Sequence, residues 1–315
     1  RKVIIPLWNA YSFFVTYANV DGWTPPAEYK LDSANRLDRW ILSEFQALLE
    51  SVTDNLDRYD VAVAGQAVEK FIDLLTNWYI RRSRRRFWKS ESDTDKTAAY
   101  HTLHYVLREF SKLLAPFLPF LAEEMYRNLS TGMPDAKDSV HLADYPVFKP
   151  ELRDKAQEAR MELTREVVTL GRALRNDTRI KIRQPLPELK IITSNIDEMR
   201  KMANIIADEL NVKEISFLES DEGLVQLNLK PNFRALGPKF GPRMKEAQKA
   251  IGELQPADIE KFRQTGELEI LGEKLTSDDL VIEETAGEGL AFNRGQDISV
   301  ILDIRLTEEL LDEGY

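Results

Sequence analysis

Six cations fall within the nine residues Arg81-Arg82-Ser83-Arg84-Arg85-Arg86-Phe87-Trp88-Lys89, bracketed by the aromatic pairs Trp78-Tyr79 and Phe87-Trp88. A second basic run, Arg175 to Arg183, alternates Arg179, Lys181 and Arg183 with Ile180 and Ile182. Guanidinium groups fork onto phosphate oxygens and aromatic rings stack on unpaired bases, so the combination suits a nucleic-acid surface. The plainer reading of the first run is a solvated, salt-bridged helix end, since cations complement the negative end of a helix. Six cations exceed what a helix end requires, and like charges on neighbouring turns repel. For Arg175 to Arg183 both readings stay open. Trp78 and Phe87 are expected in a core; Trp88 could serve either role.

The first run must be positioned by the helix that precedes it. Val61, Ala64, Val68, Phe71, Leu75 and Trp78 recur at spacings of three and four, as on one buried helix face. At the same period that face next carries Arg82 and Arg85. Either the helix leaves its bundle there and enters water, or its last turns line a groove that holds an anion.

Constellations for catalysis are missing from the sequence. There is no cysteine, which excludes disulfides, thiolate zinc sites and catalytic thiols. No Gly-rich phosphate loop is recognisable. Gly237-Pro238-Lys239-Phe240-Gly241-Pro242 reads as a turn, because its prolines remove amides that a phosphate cradle needs. His101 and His104 share a helical ridge but have no recognisable third ligand; they are expected to be partly exposed near a bundle surface, and no metal site is expected. Glu123 and Glu124 read as solvated helix residues rather than an acid–base pair, since adjacent positions point apart.

The 315 residues carry a net charge of −10, unevenly distributed. Residues 151–190 sum to +3 and residues 191–315 to −12. An acidic total does not exclude nucleic acid, which responds to local basic surface. A 43% hydrophobic and 30% charged composition fits a soluble, globular, cytoplasmic protein, and no apolar run is long enough to span a bilayer. The chain opens on Arg1 already inside an apolar pattern and closes where Thr307 caps a helix barely begun, so it reads as a piece of a longer protein.

Periodicity predicts helices over residues 2–19, from Asp32 or Ser33 to about 52, from an Asp60 cap through the basic run, over 96–114 and over 117–129. A polar turn, Ser90 to Asp95, precedes the fourth, and His141 to Pro150 reads as an extended strap. A helix over 151–176 leads to the basic segment Arg175 to Pro187, which its two prolines mark as extended. Beyond it the period shortens to that of strands near 189–193, 214–218, 224–229, 268–271, 280–283 and 298–304. Helices are expected over 196–210, after 242 and near 257–264.

Several of these segments, in order, resemble isoleucyl-tRNA synthetases. Phe71-Ile72-Asp73-Leu74-Leu75-Thr76-Asn77-Trp78-Tyr79-Ile80-Arg81-Arg82, Arg86-Phe87-Trp88 and Leu114-Ala115-Pro116-Phe117-Leu118-Pro119-Phe120 are similar to their anticodon-binding helical domain. Ile180-Lys181-Ile182-Arg183-Gln184-Pro185-Leu186 matches the same enzymes, and Lys230-Pro231-Asn232-Phe233-Arg234-Ala235-Leu236-Gly237-Pro238-Lys239 resembles their eukaryote-like branch. The sibling valyl and leucyl enzymes share the bundle but fit the arginine–Phe–Trp run less well. The family's His-Ile-Gly-His and Lys-Met-Ser-Lys-Ser type motifs are absent, as is an editing domain. The cysteine-ligated zinc module that ends some bacterial members is absent too.

The resemblance implies a multidomain fragment. Residues 1–150 would form an all-α anticodon-binding bundle, 151–187 a helical connector with the basic segment, and 188–315 a small α/β domain. It implies no catalytic residue or cofactor here, ATP and magnesium serving a catalytic domain outside this chain. The partners implied are isoleucine tRNA and the catalytic and editing domains, with no membrane and a monomeric state. Arg81, Arg82, Arg85, Arg86 and Lys89 would meet phosphates, Trp88 would stack or shape the groove, and Arg179, Lys181 and Arg183 would form a second contact. A helical protein-interaction module, its basic face on an acidic partner, is the reading from another class.

Overall fold

A computed structural model describes residues 2–89, 93–221 and 223–314, so Ser90, Glu91 and Ser92 of the expected polar turn lie outside the described residues. The chain divides into two compact units, residues 1–159 and 160–315. The first is helical, and the second combines helices with small sheets. No helix among the described residues is long and apolar enough to cross a membrane.

In the first unit α1 (Ile4–Asp21), α2 (Arg36–Asp57) and α3 (Val61–Asp73) are followed, without a break, by a π-helical segment (Leu74–Ile80) and α4 (Arg81–Trp88). Then come α5 (Asp93–Leu114) and α6 (Pro119–Leu129), whose proline occupies the first turn, where no amide is needed. Asp60 caps α3 as expected, its Oδ1 accepting from the Val63 amide at 3.1 Å. The cap of α2 differs: Asn35 Oδ1 accepts from the Leu37 amide at 2.9 Å, because the Ser33 hydroxyl is already donating to Asp38 at 2.6 Å. The core holds Trp40, Phe45, Phe71, Tyr79 and Phe110, with Phe71 and Phe110 edge to face at 5.1 Å. Glu123 is not simply solvated, since its Oε2 accepts from Ser139 Oγ (2.9 Å) and the Val140 amide (2.8 Å) and so holds the start of the strap.

His101 and His104 are buried, not partly exposed. His104 lies between the Tyr29 hydroxyl (2.7 Å from Nδ1) and the Leu129 carbonyl (2.8 Å from Nε2). The carbonyl can only accept, so Nε2 carries the proton and Nδ1 accepts from Tyr29. Burial pushes the His104 imidazole down to about 4. His101 Nδ1 accepts from the Lys30 amide at 3.1 Å.

Apart from its first turn, α7 (Lys155–Asp177) belongs to the second unit. There follow β1 (Leu186–Ile192), α8 (Ile196–Arg200), α9 (Ala203–Leu210) and β2 (Val212–Leu218). The single helix expected over 196–210 is therefore two, parted at Lys201-Met202. Next are β3 (Val225–Pro231), α10 (Phe233–Phe240), α11 (Met244–Gly252), α12 (Pro256–Thr265), β4 (Glu267–Ile270), β5 (Glu273–Thr276) and β6 (Leu280–Ala286). The unit closes with β7 (Leu290–Arg294), β8 (Ser299–Asp303) and α13 (Glu308–Gly314). The main sheet has the order β2-β1-β8-β7, parallel between β1 and β2 and antiparallel elsewhere. Strands β3 and β6 pair antiparallel and enclose a second core of Leu229, Leu236, Phe240, Ile251, Phe262 and Leu275. The turn expected at 237–242 is instead helical up to Phe240, with Pro238 inside α10.

Candidate nucleic-acid interface

The π-helical segment decides which residues of the basic run face outward. The Arg81 amide donates to the Thr76 carbonyl, five residues back. The Asn77 carbonyl, which an α-helix would have paired with that amide, accepts from Arg81 Nε at 2.8 Å instead. Each such turn holds one residue more than an α-turn and rotates the chain beyond it. The buried seam therefore does not continue from Trp78 to Arg82 and Arg85, as a constant period predicts. It runs through Leu75, Tyr79, Ser83 and Phe87, all fully buried. Phe87 anchors the turn edge to face against Phe13 (5.2 Å) and Tyr100 (5.0 Å).

Arg86 is the cation that this rotation carries inward. Its Nη1 and Nη2 donate to the two oxygens of Asp38, each at 2.7 Å, while Nε and Nη2 donate to those of Asp95, each at 2.8 Å. Asp38, wholly buried on α2, also accepts from the Tyr79 hydroxyl at 2.7 Å. Burial opposes the charge on Arg86, but the hydrogen bonds from its guanidinium to Asp38 outweigh that and hold the pKa above its ordinary value. Burial, with the Asp38 charge beside it, raises the Tyr79 phenol well above its usual value. The expectation that Arg86 meets phosphate is corrected by this placement. Its donors are committed to two carboxylates, and it ties α4 to α2 and α5.

The outward face of α4 consists of Arg81, Arg84, Arg85 and Trp88, spaced i, i+3, i+4 and i+7. All four are exposed, Trp88 to 58%. Arg84, Arg85 and the exposed Lys89 make no ion pair among the described residues. Arg82 is half-buried at the edge of this face. Arg84 was missing from the sequence-derived set; the i, i+3, i+4, i+7 spacing to Arg81, Arg85 and Trp88 was the signal that would have found it.

In the second unit the basic segment is a turn-rich loop, not an extended strand. Helix α7 runs on to Asp177, and Arg179 then takes a left-handed backbone (φ 59°) that ends it. Arg175, the last basic residue of α7, is turned inward. Its guanidinium donates to the carbonyls of Lys181 (3.0 Å), Gln184 (2.9 Å) and Asn211 (2.9 Å). Burial pushes its pKa down to about 10. The Asn211 side chain adds donors to the Ile182 (3.1 Å) and Arg183 (2.9 Å) carbonyls. With its carbonyls held inward, the loop exposes the side chains of Arg179, Lys181 and Arg183, and Ile182 is 45% exposed. The structure thus exposes Arg81, Arg85, Trp88 and Lys89 together in the first unit and Arg179, Lys181 and Arg183 together in the second, while it withdraws Arg86.

Residues 38–192 match the family described as "Anticodon-binding domain of tRNA ligase". The whole chain is 42% identical, over 334 aligned residues, to an isoleucine–tRNA ligase of Treponema denticola. It is 40% identical over 322 residues to one of Protochlamydia amoebophila and 39% identical over 320 residues to one of Chlamydia trachomatis. The chain spans about 30% of the length of the curated relatives it matches, 30% or 31% in these three. By these matches the chain is a homologue of the C-terminal region of isoleucine–tRNA ligases and carries their anticodon-binding domain.

Proposed function

We propose that this chain is the part of an isoleucine–tRNA ligase that grips tRNA and contributes to recognition of its anticodon loop. The observation that supports this reading most is the outward face of α4 within the matched domain. Cations at three successive positions of that face are followed, one turn on, by an exposed indole. In this reading Arg81, Arg84, Arg85 and Lys89 bind phosphates, with Arg82 at their edge, and Trp88 stacks on an unpaired base. Arg86 positions the face and touches no RNA. Arg179, Lys181 and Arg183 make a second backbone contact. Aminoacylation, with its ATP and magnesium, belongs to a catalytic domain outside this chain. The fragment needs no cofactor and catalyses nothing by itself.

The test is filter binding of the chain to isoleucine tRNA across a salt series, beside the same tRNA with an altered anticodon. The expected result is a log–log fall of affinity with salt and weaker binding of the altered tRNA. Equal retention of tRNA and heparin would instead identify a basic protein-interaction module.

A further inference from the structure

Phe233 opens α10 and is 56% exposed, in a basic stretch of the otherwise acidic residues 191–315. Residues 230–249 hold six cations and one anion, whereas the remainder of residues 191–315 holds eight cations and twenty-five anions. Three of the six are paired: Lys230 with Glu283 and Lys239 with the buried Asp279, each at 2.6 Å, and Lys249 with Glu253 at 3.8 Å. Arg234, Arg243 and Lys245 are exposed and make no ion pair among the described residues. So strong a local reversal of charge, with cations left to solvent, is the electrostatic footprint of a polyanion.

The backbone beneath them is unusual as well. Leu236 and Phe240 of α10 are buried, whereas Phe233, in its first turn, and Arg234, Gly237 and Pro238 are exposed. Glycine and proline are the two poorest residues for a helix interior. Packing does not demand the glycine, since a Cβ at Gly237 would meet nothing within 4 Å. Pro238 removes the amide that would have paired with the Arg234 carbonyl. One turn on from the Phe233 ring the helix therefore carries no tall side chain, and an open shelf lies beside the ring. Local rules broken at exposed positions, with no gain in packing, mark places shaped by function.

We infer that this shelf is a further RNA-binding surface. The Phe233 ring stacks on one unpaired base, for which Gly237 and Pro238 leave room, and Arg234, Arg243 and Lys245 hold phosphates of the same strand. One exposed ring among three cations lacks the apolar centre that a protein partner would require, whereas a base needs only the ring face. The inference rests on the tRNA-binding reading, and the experiment separates the two.

Filter binding of isoleucine tRNA to the full chain is measured for Phe233→Ala, Phe233→Leu and the double variant Arg243→Ala with Lys245→Ala. Arg84→Ala with Arg85→Ala serves as the reference, and urea midpoints establish that each variant is folded. Both Phe233 variants should lose roughly 5- to 150-fold in affinity with an unchanged salt slope, the range that base–aromatic stacking spans. The double variant should lower the slope of log K against log salt by about 1.5. If these folded variants bind like the parent chain while the reference weakens, the inference is overturned and the tRNA-binding function stands. If the parent chain itself does not prefer tRNA to heparin, the function is what fails. A loss confined to the cations, with Phe233→Ala binding normally, overturns the stacking surface.

Discussion

Arg86 and Asp38 meet through two parallel hydrogen bonds of 2.7 Å, the carboxylate wholly buried and the guanidinium side chain only 11% exposed. The pair joins α4 to α2 and fixes the rotation of a helix whose opposite face is exposed and basic. A conspicuous cation of the arginine run is therefore a structural tie, and its neighbours are the ones available to a ligand.

Removing that tie should cost stability. Arg86→Ala leaves the Asp38 carboxylate buried and uncompensated, a loss of about 3–5 kcal/mol for a partly desolvated pair. Urea unfolding monitored by tryptophan fluorescence measures it. Arg86→Lys should recover only part, because one ammonium cannot fork onto both Asp38 and Asp95. A cost below about 1 kcal/mol for Arg86→Ala would show the pair to be a surface-type contact.

The opposite face should behave in the opposite way. Arg84→Ala with Arg85→Ala removes exposed side chains and should change stability by no more than about 0.5 kcal/mol. The same change should weaken tRNA binding and reduce the salt slope by about 1.5, in proportion to two lost phosphate contacts. Unchanged affinity and slope would remove α4 from the interface. Mutating Arg85 together with Arg86 would not serve, because that pair mixes a surface contact with an interior one.

The buried His104 makes stability depend on pH. Its folded pKa of about 4 lies below the ordinary value of 6.5, so on acidification the unfolded chain takes up the proton first. Stability is therefore full above about pH 6.5, falls as pH drops towards 4, and is flat in this respect below that. A difference of that size corresponds to at most about 3 kcal/mol. Urea midpoints at pH 7.5 and 5 should differ accordingly, and His104→Gln should flatten the dependence. His101, which burial also depresses, adds in the same direction.

Arg175 should control the order of the basic loop in the second unit. Arg175→Met keeps the aliphatic stem but withdraws the donors to the Lys181, Gln184 and Asn211 carbonyls. The amides of Arg179, Ile180 and Gln184, which are bonded to carbonyls of the helix end and the loop, should then exchange hydrogen faster by ten-fold or more, about 1.4 kcal/mol of lost protection. Protection equal to that of the parent chain would show that Asn211 suffices to hold the loop.

Most helices could be read from the sequence because their signals are local. The Asp60 cap, the prolines at 116 and 119, and the apolar spacing of α2 and α5 each act within a few residues. The strands β5 and β7 went unread because they are only four and five residues long, too short to show a period, although each pairs with a hairpin neighbour, β4 and β8. The buried histidines went unread because their partners are distant in sequence. Tyr29 and the Leu129 carbonyl, which satisfy His104, come from 75 and 25 residues away.

The arginine run shows the same division. The sequence by itself determined its charge density, its aromatic neighbours and, through its resemblance, the family. It could not determine which arginines face solvent, because that depends on helix phase, and an apolar stripe read at a constant period carries no sign of a π turn. Only the tertiary structure decided the phase: Phe87 between Phe13 and Tyr100, and Arg86 between Asp38 and Asp95, are contacts with other elements. They are made if the segment Leu74–Ile80 takes in one extra residue, and that rotation turns Arg81, Arg84, Arg85 and Trp88 to the outside.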